Sequence, residues 1–67
     1  MSVVKIIELV GTSPKSWEEA AQNAIETASK TIRGIIGMDV INFTAKVKDG
    51  KISDYKTNVK IAFLYEV

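Results

Sequence analysis

Residues 38–64 read MDVINFTAKVKDGKISDYKTNVKIAFL, and the fold turns on the Asp49-Gly50 pair near their middle. Asp-Gly between two strand-like runs is the strongest short-range hairpin signal, because a type I′ turn needs φ > 0 at both central positions. A two-residue loop there sets Lys48 opposite Lys51, Val40 opposite Val59 and Asp39 opposite Lys60. Alternation then sorts the side chains onto two faces. Met38, Val40, Tyr55, Val59, Ile61 and Phe63 share one face, the natural seat for a helix. Ile41, Phe43, Ala45, Val47, Ile52, Ala62 and Leu64 fall on the other, mixed with Asp39, Asp54, Lys56, Asn58 and Lys60.

Upstream, residues 3–10 (Val-Val-Lys-Ile-Ile-Glu-Leu-Val) are rich in β-branched residues and stop at Gly11, which reads as a strand. A turn cluster, Gly11-Thr12-Ser13-Pro14, follows. Ser16 with Glu19 three residues on is a capping box. Trp17, Ala20, Ala21, Ala24, Ile25, Ala28 and Ile32 recur at three- and four-residue spacing. This predicts an amphipathic helix of about 17 residues. Lys30 and Arg33 are placed in its last turn and Gly34 is its C′ stop. The apolar face is mostly alanine, so the axis can approach its neighbour closely, and Trp17 and the isoleucines must supply much of the buried area.

The order strand–helix–strand–strand predicts an α+β fold, one amphipathic helix on a three-stranded antiparallel sheet. A right-handed crossover leaves a gap between the first two strands, and the third fills it as the central strand. One helix covers one side of such a sheet. Ile41, Phe43, Val47 and Leu64 would then face water, a patch that suggests a partner surface.

Composition points the same way. The 67 residues make one domain, taken as 1–67, with nine basic and eight acidic side chains and neither Cys nor His. A chain this short buries roughly 60% of its unfolded surface and is marginal alone. Disulfides and Cys/His zinc sites are excluded, which leaves oligomerisation as the staple. Catalytic triads, Cys–His dyads and imidazole bases are excluded too, and nothing reads as an enzyme. Charges are interspersed at pI ≈ 8.0, without the clustered basic face of a nucleic-acid binder. Lys46, Lys48 and Lys51 read as a solvated hairpin tip. No apolar run reaches the length of a membrane span, since Lys5, Glu8 and Arg33 interrupt each candidate. No signal peptide is apparent, and cytoplasmic is the default location.

Candidate sites are few. Gly11-Thr12-Ser13 before a helix could cradle an anion, but lacks a P-loop pattern and reads as a capped turn. Glu8, Asp39 and Asp54 are the candidate ligands for a hard cation, with ion pairing as the plainer alternative. Trp17 could stack on a ligand; its place at the head of the helix stripe favours packing.

Three stretches together resemble the dodecin family: Glu8-Leu9-Val10-Gly11-Thr12-Ser13, the helix Ser16-Trp17-Glu18-Glu19-Ala20-Ala21 through Ala24-Ile25, and Tyr55 to Val59 with Ala62-Phe63. The resemblance covers nearly the whole chain. It implies a β-α-β-β fold in which a long, curved sheet partly wraps the helix, assembly into a hollow homododecamer of cubic-type symmetry, and flavins (riboflavin, FMN or FAD) stored in pairs between subunits without catalysis. By position it assigns ligand contacts to Gly37, Thr44, Lys56 and Leu64. Family members that bind flavin stack the ring on a tryptophan where this chain has Gly37. They contact its edge with a glutamine where it has Lys56, and bacterial members place basic residues at Thr44 and Leu64. A stacking platform is worth about 1–3 kcal/mol per ring by analogy with base stacking, so its loss bears on affinity. Three readings follow: a flavin or other small ligand in an altered intersubunit pocket, calcium or another divalent cation held by carboxylates at symmetry interfaces, or a structural, partner-binding oligomer.

Overall fold

The computed structural model describes residues 3–65; Met1, Ser2, Glu66 and Val67, the ends of the 1–67 span, lie outside the described residues. Strand β1 (Val4–Ser13) leads to helix α1 (Trp17–Ser29), then β2 (Ile35–Lys48) and β3 (Lys51–Leu64). The sheet order is β1-β3-β2, and both pairings are antiparallel. The long third strand is therefore central, as the crossover argument requires.

Asp49 and Gly50 take φ of 53° and 75°, and Lys48 sits opposite Lys51. Both positive angles match the turn that Asp-Gly favours. Val40 faces Val59 and Asp39 faces Lys60. Between these two fixed points the count departs from uniform alternation. Ser53 is an extra residue on β3 and Ile41 an extra residue on β2, and beyond Val40 a further extra residue on β2 is Ile36. Each bulge turns the side chains beyond it to the opposite face. Phe43 therefore pairs with buried Thr57, and Ala45 with Tyr55, on the helix side. Uniform alternation places Phe43 and Ala45 on the opposite face, and the Ser53 and Ile41 bulges correct it.

β1 also runs past its expected end, through Gly11 to Ser13 opposite Tyr55. Gly11 is not a turn residue. It lies under the helix, where an added Cβ would stand 1.8 Å from the Ala20 carbonyl oxygen.

The helix has 13 residues rather than about 17. Its start follows expectation in part: Ser16 is extended, and its hydroxyl accepts the Glu19 N–H at 3.0 Å. The Glu19 carboxylate does not return to Ser16 but accepts the Ser13 hydroxyl at 3.1 Å. At the other end Lys30 N–H and Thr31 N–H bond three residues back, to Thr27 and Ala28 carbonyls. That tightening closes the last turn. Lys30 and Arg33 therefore lie beyond the helix, and Gly34, at φ 75°, opens the path to β2 while its carbonyl accepts the Leu64 N–H.

Ala20, Ala21, Ala24 and Ala28 are buried on the helix, and Val59 and Ile61 are fully buried beneath it. Ile7, Leu9, Ile25, Ile32 and Ile35 pack around them. The helix spans about 20 Å, whereas a 14-residue strand spans about 46 Å. The molecule is correspondingly elongated, 52 × 20 × 13 Å. β2 bears the consequence, because none of its residues is buried.

One buried polar contact ties helix to sheet. Thr57 is fully buried, and its hydroxyl donates to the Trp17 carbonyl at 2.8 Å. Thr57→Val keeps the shape and removes the donor, and should lower stability by about 1 kcal/mol. That corresponds to about 4–8 °C in Tm. An unchanged melting curve would show that water satisfies that carbonyl equally well.

Candidate functional site

The helix-free face of the sheet is a ladder of cross-strand rows set by register. Thr12, Lys56 and Thr44 form one row; Val10, Asn58 and Asn42 the next; then Glu8, Lys60 and Asp39; then Ile6, Ala62 and Gly37; and last Val4 beside Leu64. All four positions singled out for ligand contact, Gly37, Thr44, Lys56 and Leu64, lie on this face. Thr44 and Lys56 stand opposite each other. Gly37 and Leu64 lie at the far end, about 20–26 Å away along β3. One copy therefore gathers them into two groups rather than one pocket. At Gly37 an added Cβ would meet nothing within 4 Å.

The candidate cation ligands divide as well. Glu8 and Asp39 flank Lys60 from the two outer strands, and Asp54 pairs with Lys46 near the hairpin tip. Lys60 thus stands between two carboxylates, and the row carries one net negative charge. Asp54 is about 20 Å along β3 from that row. Among the described residues no three acidic side chains come together as an ion site. A site for a divalent ion would need carboxylates from more than one copy.

The segment ahead of the helix is fully occupied by its own chain. The Ser13 hydroxyl, almost fully buried, accepts the N–H groups of Lys15 at 3.0 Å and Ser16 at 3.4 Å, and donates to Glu19. Those donors are taken, and the carboxylate beside them opposes an anion. It is a capped turn.

Trp17 packs. Its indole N–H donates to the Thr44 carbonyl at 2.8 Å. Its ring meets Tyr55 edge-on at 4.8 Å and Phe43 at 5.9 Å. Edge-to-face contacts at such distances are favourable beyond the area they bury. Beside it lies an open groove of about 320 Å³ between α1 and β2, walled by Trp17, Ala21, Ile25, Met38, Val40 and Phe43. Nothing in the residue pattern announces this groove, because it exists only once the bulges bring Phe43 under Trp17. A second, more polar depression lies beside β1, where Asn23 donates to the Thr12 carbonyl at 2.9 Å. No buried side-chain polar atom among the described residues lacks a partner.

Residues 3–66 match the family model described as Dodecin. The chain belongs to the dodecin family. A relative named "Calcium dodecin", from Mycobacterium tuberculosis, is 39% identical over 64 residues, covering 94% of this chain and 89% of that one. A crystal structure of calcium dodecin from the same organism, described as calcium chelating and having a novel calcium-binding site, aligns with a TM-score of 0.85 at 36% identity. It covers 97% of this chain and 93% of the other. The dodecin of Streptomyces coelicolor aligns with a TM-score of 0.96 at 29% identity, over 98% of this chain and 94% of that one. The strand–helix–strand–strand fold with its antiparallel sheet is thus the dodecin fold. Among the described residues no helix is long and apolar enough to cross a membrane.

Proposed function

We propose that this chain is a non-catalytic, self-associating sequestration protein whose helix-free sheet face binds a divalent cation such as calcium between copies. The observation that carries this reading is the composition of that face. Gly37 leaves open space where a stacking side chain would stand, while the Glu8–Lys60–Asp39 row lies on the same surface with an excess of carboxylate. Oxygen ligands of that kind suit calcium. The 39% identity to a relative named calcium dodecin supports the choice. Glu8, Asp39 and Asp54 would contribute from different copies, because one copy does not assemble three of them. The absence of Cys and His supports a storage role over catalysis. The exposed β2 supports self-association, for which the expected form is a homododecamer of 7.4 kDa chains.

Flavin is the competing ligand, and two titrations separate the readings. With EDTA-treated protein, calcium at about 100 times its Kd adds about 2.7 kcal/mol. Tm should rise by about 10 °C or more, the rise should be reversed by EDTA, and it should be reduced in Glu8→Gln and Asp39→Asn. Riboflavin fluorescence should stay unquenched at micromolar protein. Quenching without a calcium response would overturn the cation reading in favour of flavin. No response to either would leave a structural oligomer.

A further inference from the structure

Lys60 stands on β3 at the centre of the Glu8–Lys60–Asp39 row, and all three side chains are exposed. The rows on either side carry no charge: Val10, Asn58 and Asn42 on one, Ile6, Ala62 and Gly37 on the other. The next charged residue along β3 on this face is Lys56, four positions or about 13 Å away. That exceeds the Debye length of about 8 Å at physiological ionic strength. The row is therefore an isolated triplet, one ammonium group set between two carboxylates. It is also open to solutes, because Ala62 is small and an added Cβ at Gly37 would meet nothing within 4 Å.

Glu8 and Asp39 lie on the two outer strands, two strand spacings or about 10 Å apart. Calcium binds carboxylate oxygens at about 2.3–2.6 Å, so an ion touching both side chains must sit midway, over β3. That place belongs to Lys60, whose register position lies between the two acids. The lysine opposes an ion there in two ways. Its side chain competes for the space, and its charge leaves the row at −1 where the two carboxylates alone would make −2. We propose that Lys60 bars a single copy from chelating the divalent cation between Glu8 and Asp39, so that the ion is held only where carboxylates of a second copy come alongside. Lys60 has this role only within the cation reading given above, and it keeps the site at fewer than one ion per chain. Coulomb's law in water gives about a tenfold effect on Kd for a divalent ion about 6 Å from a unit charge, and about threefold for a monovalent one. Lys60 therefore also narrows the preference for calcium over sodium.

Calcium titrations of EDTA-treated protein, read by calorimetry, test this role. Lys60→Met removes the charge, and Lys60→Gln removes it and adds a carbonyl oxygen. Each should lower the Kd for calcium about tenfold and raise bound calcium toward one per chain. Lys60→Arg keeps the charge and should match the parent. Adding Glu8→Gln to Lys60→Gln should abolish the gain, because one carboxylate of the row is then lost. The position is exposed, so the circular dichroism of every variant should match the parent. If the parent binds calcium and both neutral variants keep its Kd and stoichiometry, the role of Lys60 is overturned and the cation reading stands. A parent that already holds one ion per chain overturns it as well. If neither the parent nor a neutral variant binds calcium, the cation reading fails and the role of Lys60 fails with it. Binding by the neutral variants alone overturns the cation reading for the parent, since Lys60 then excludes the ion altogether.

Discussion

Gly11→Ala should destabilise the protein by about 3 kcal/mol or more, at the upper end of what overpacking costs. The added Cβ would stand 1.8 Å from the Ala20 carbonyl oxygen, 2.8 Å from its carbon and 3.1 Å from the Ala24 Cβ. The first two are backbone atoms in a buried turn of the helix, with no rotamer to retreat into. Relief requires lifting α1 off β1 by more than an ångström, which opens the contact between the alanine stripe and Val59 and Ile61. For a domain of this size, about 3 kcal/mol corresponds to a fall of about 12–24 °C in Tm. Gly37→Ala is the control. It meets nothing within 4 Å and should shift Tm by no more than a few degrees at equal protein concentration. Ala20→Gly should not rescue Gly11→Ala, because the obstructing atom belongs to the main chain. A Gly11→Ala protein melting within a few degrees of the parent would show that the helix rides further from β1 than described.

Trp17→Ala is the second large effect, expected at about 3 kcal/mol, the low end for aromatic truncation because the ring is only half-buried. The substitution removes the edge contacts with Tyr55 and Phe43 and the hydrogen bond to the Thr44 carbonyl together. These contacts pin the start of the helix to both β2 and β3. Trp17→Phe keeps most of the packing and loses the N–H, so about 1 kcal/mol should separate it from the parent. Circular dichroism is the proper readout, since the chain has one tryptophan and the variants abolish its emission. If Trp17 served as a ligand platform, Trp17→Ala would cost ligand affinity and leave melting unchanged. The reverse is expected.

The hairpin was legible because Asp49 and Gly50 carry a local conformational demand that few other pairs satisfy. The same holds for Ser16, whose capping role depends only on neighbours within a turn. The register beyond the turn was legible in part. Val40 met Val59 because the Ser53 and Ile41 bulges offset each other. Phe43 lies between them, and a bulge has no composition of its own, so its face could not be read by alternation. Gly11 misled for a related reason. A glycine after a hydrophobic run looks like a stop, yet here its missing Cβ admits a helix carbonyl belonging to a residue nine positions later. Gly37, Thr44, Lys56 and Leu64 could be named only as positions, and register alone shows that Thr44 and Lys56 lie far from Gly37 and Leu64. The groove was not legible at all, since it depends on bulges and on the edge-on stacking of Trp17.

β2 orders 14 residues without burying any of them in its own chain. Fixing a backbone costs about 1–2 kcal/mol per residue, and in an isolated copy only the hydrogen bonds to β3 and half-covered side chains offset that along the arm. If a neighbouring copy supplies the missing burial, the free energy of folding acquires a term in protein concentration. Dilution then acts on this chain as urea acts on an ordinary domain, and its abundance in the cell becomes one of the variables that keep it folded.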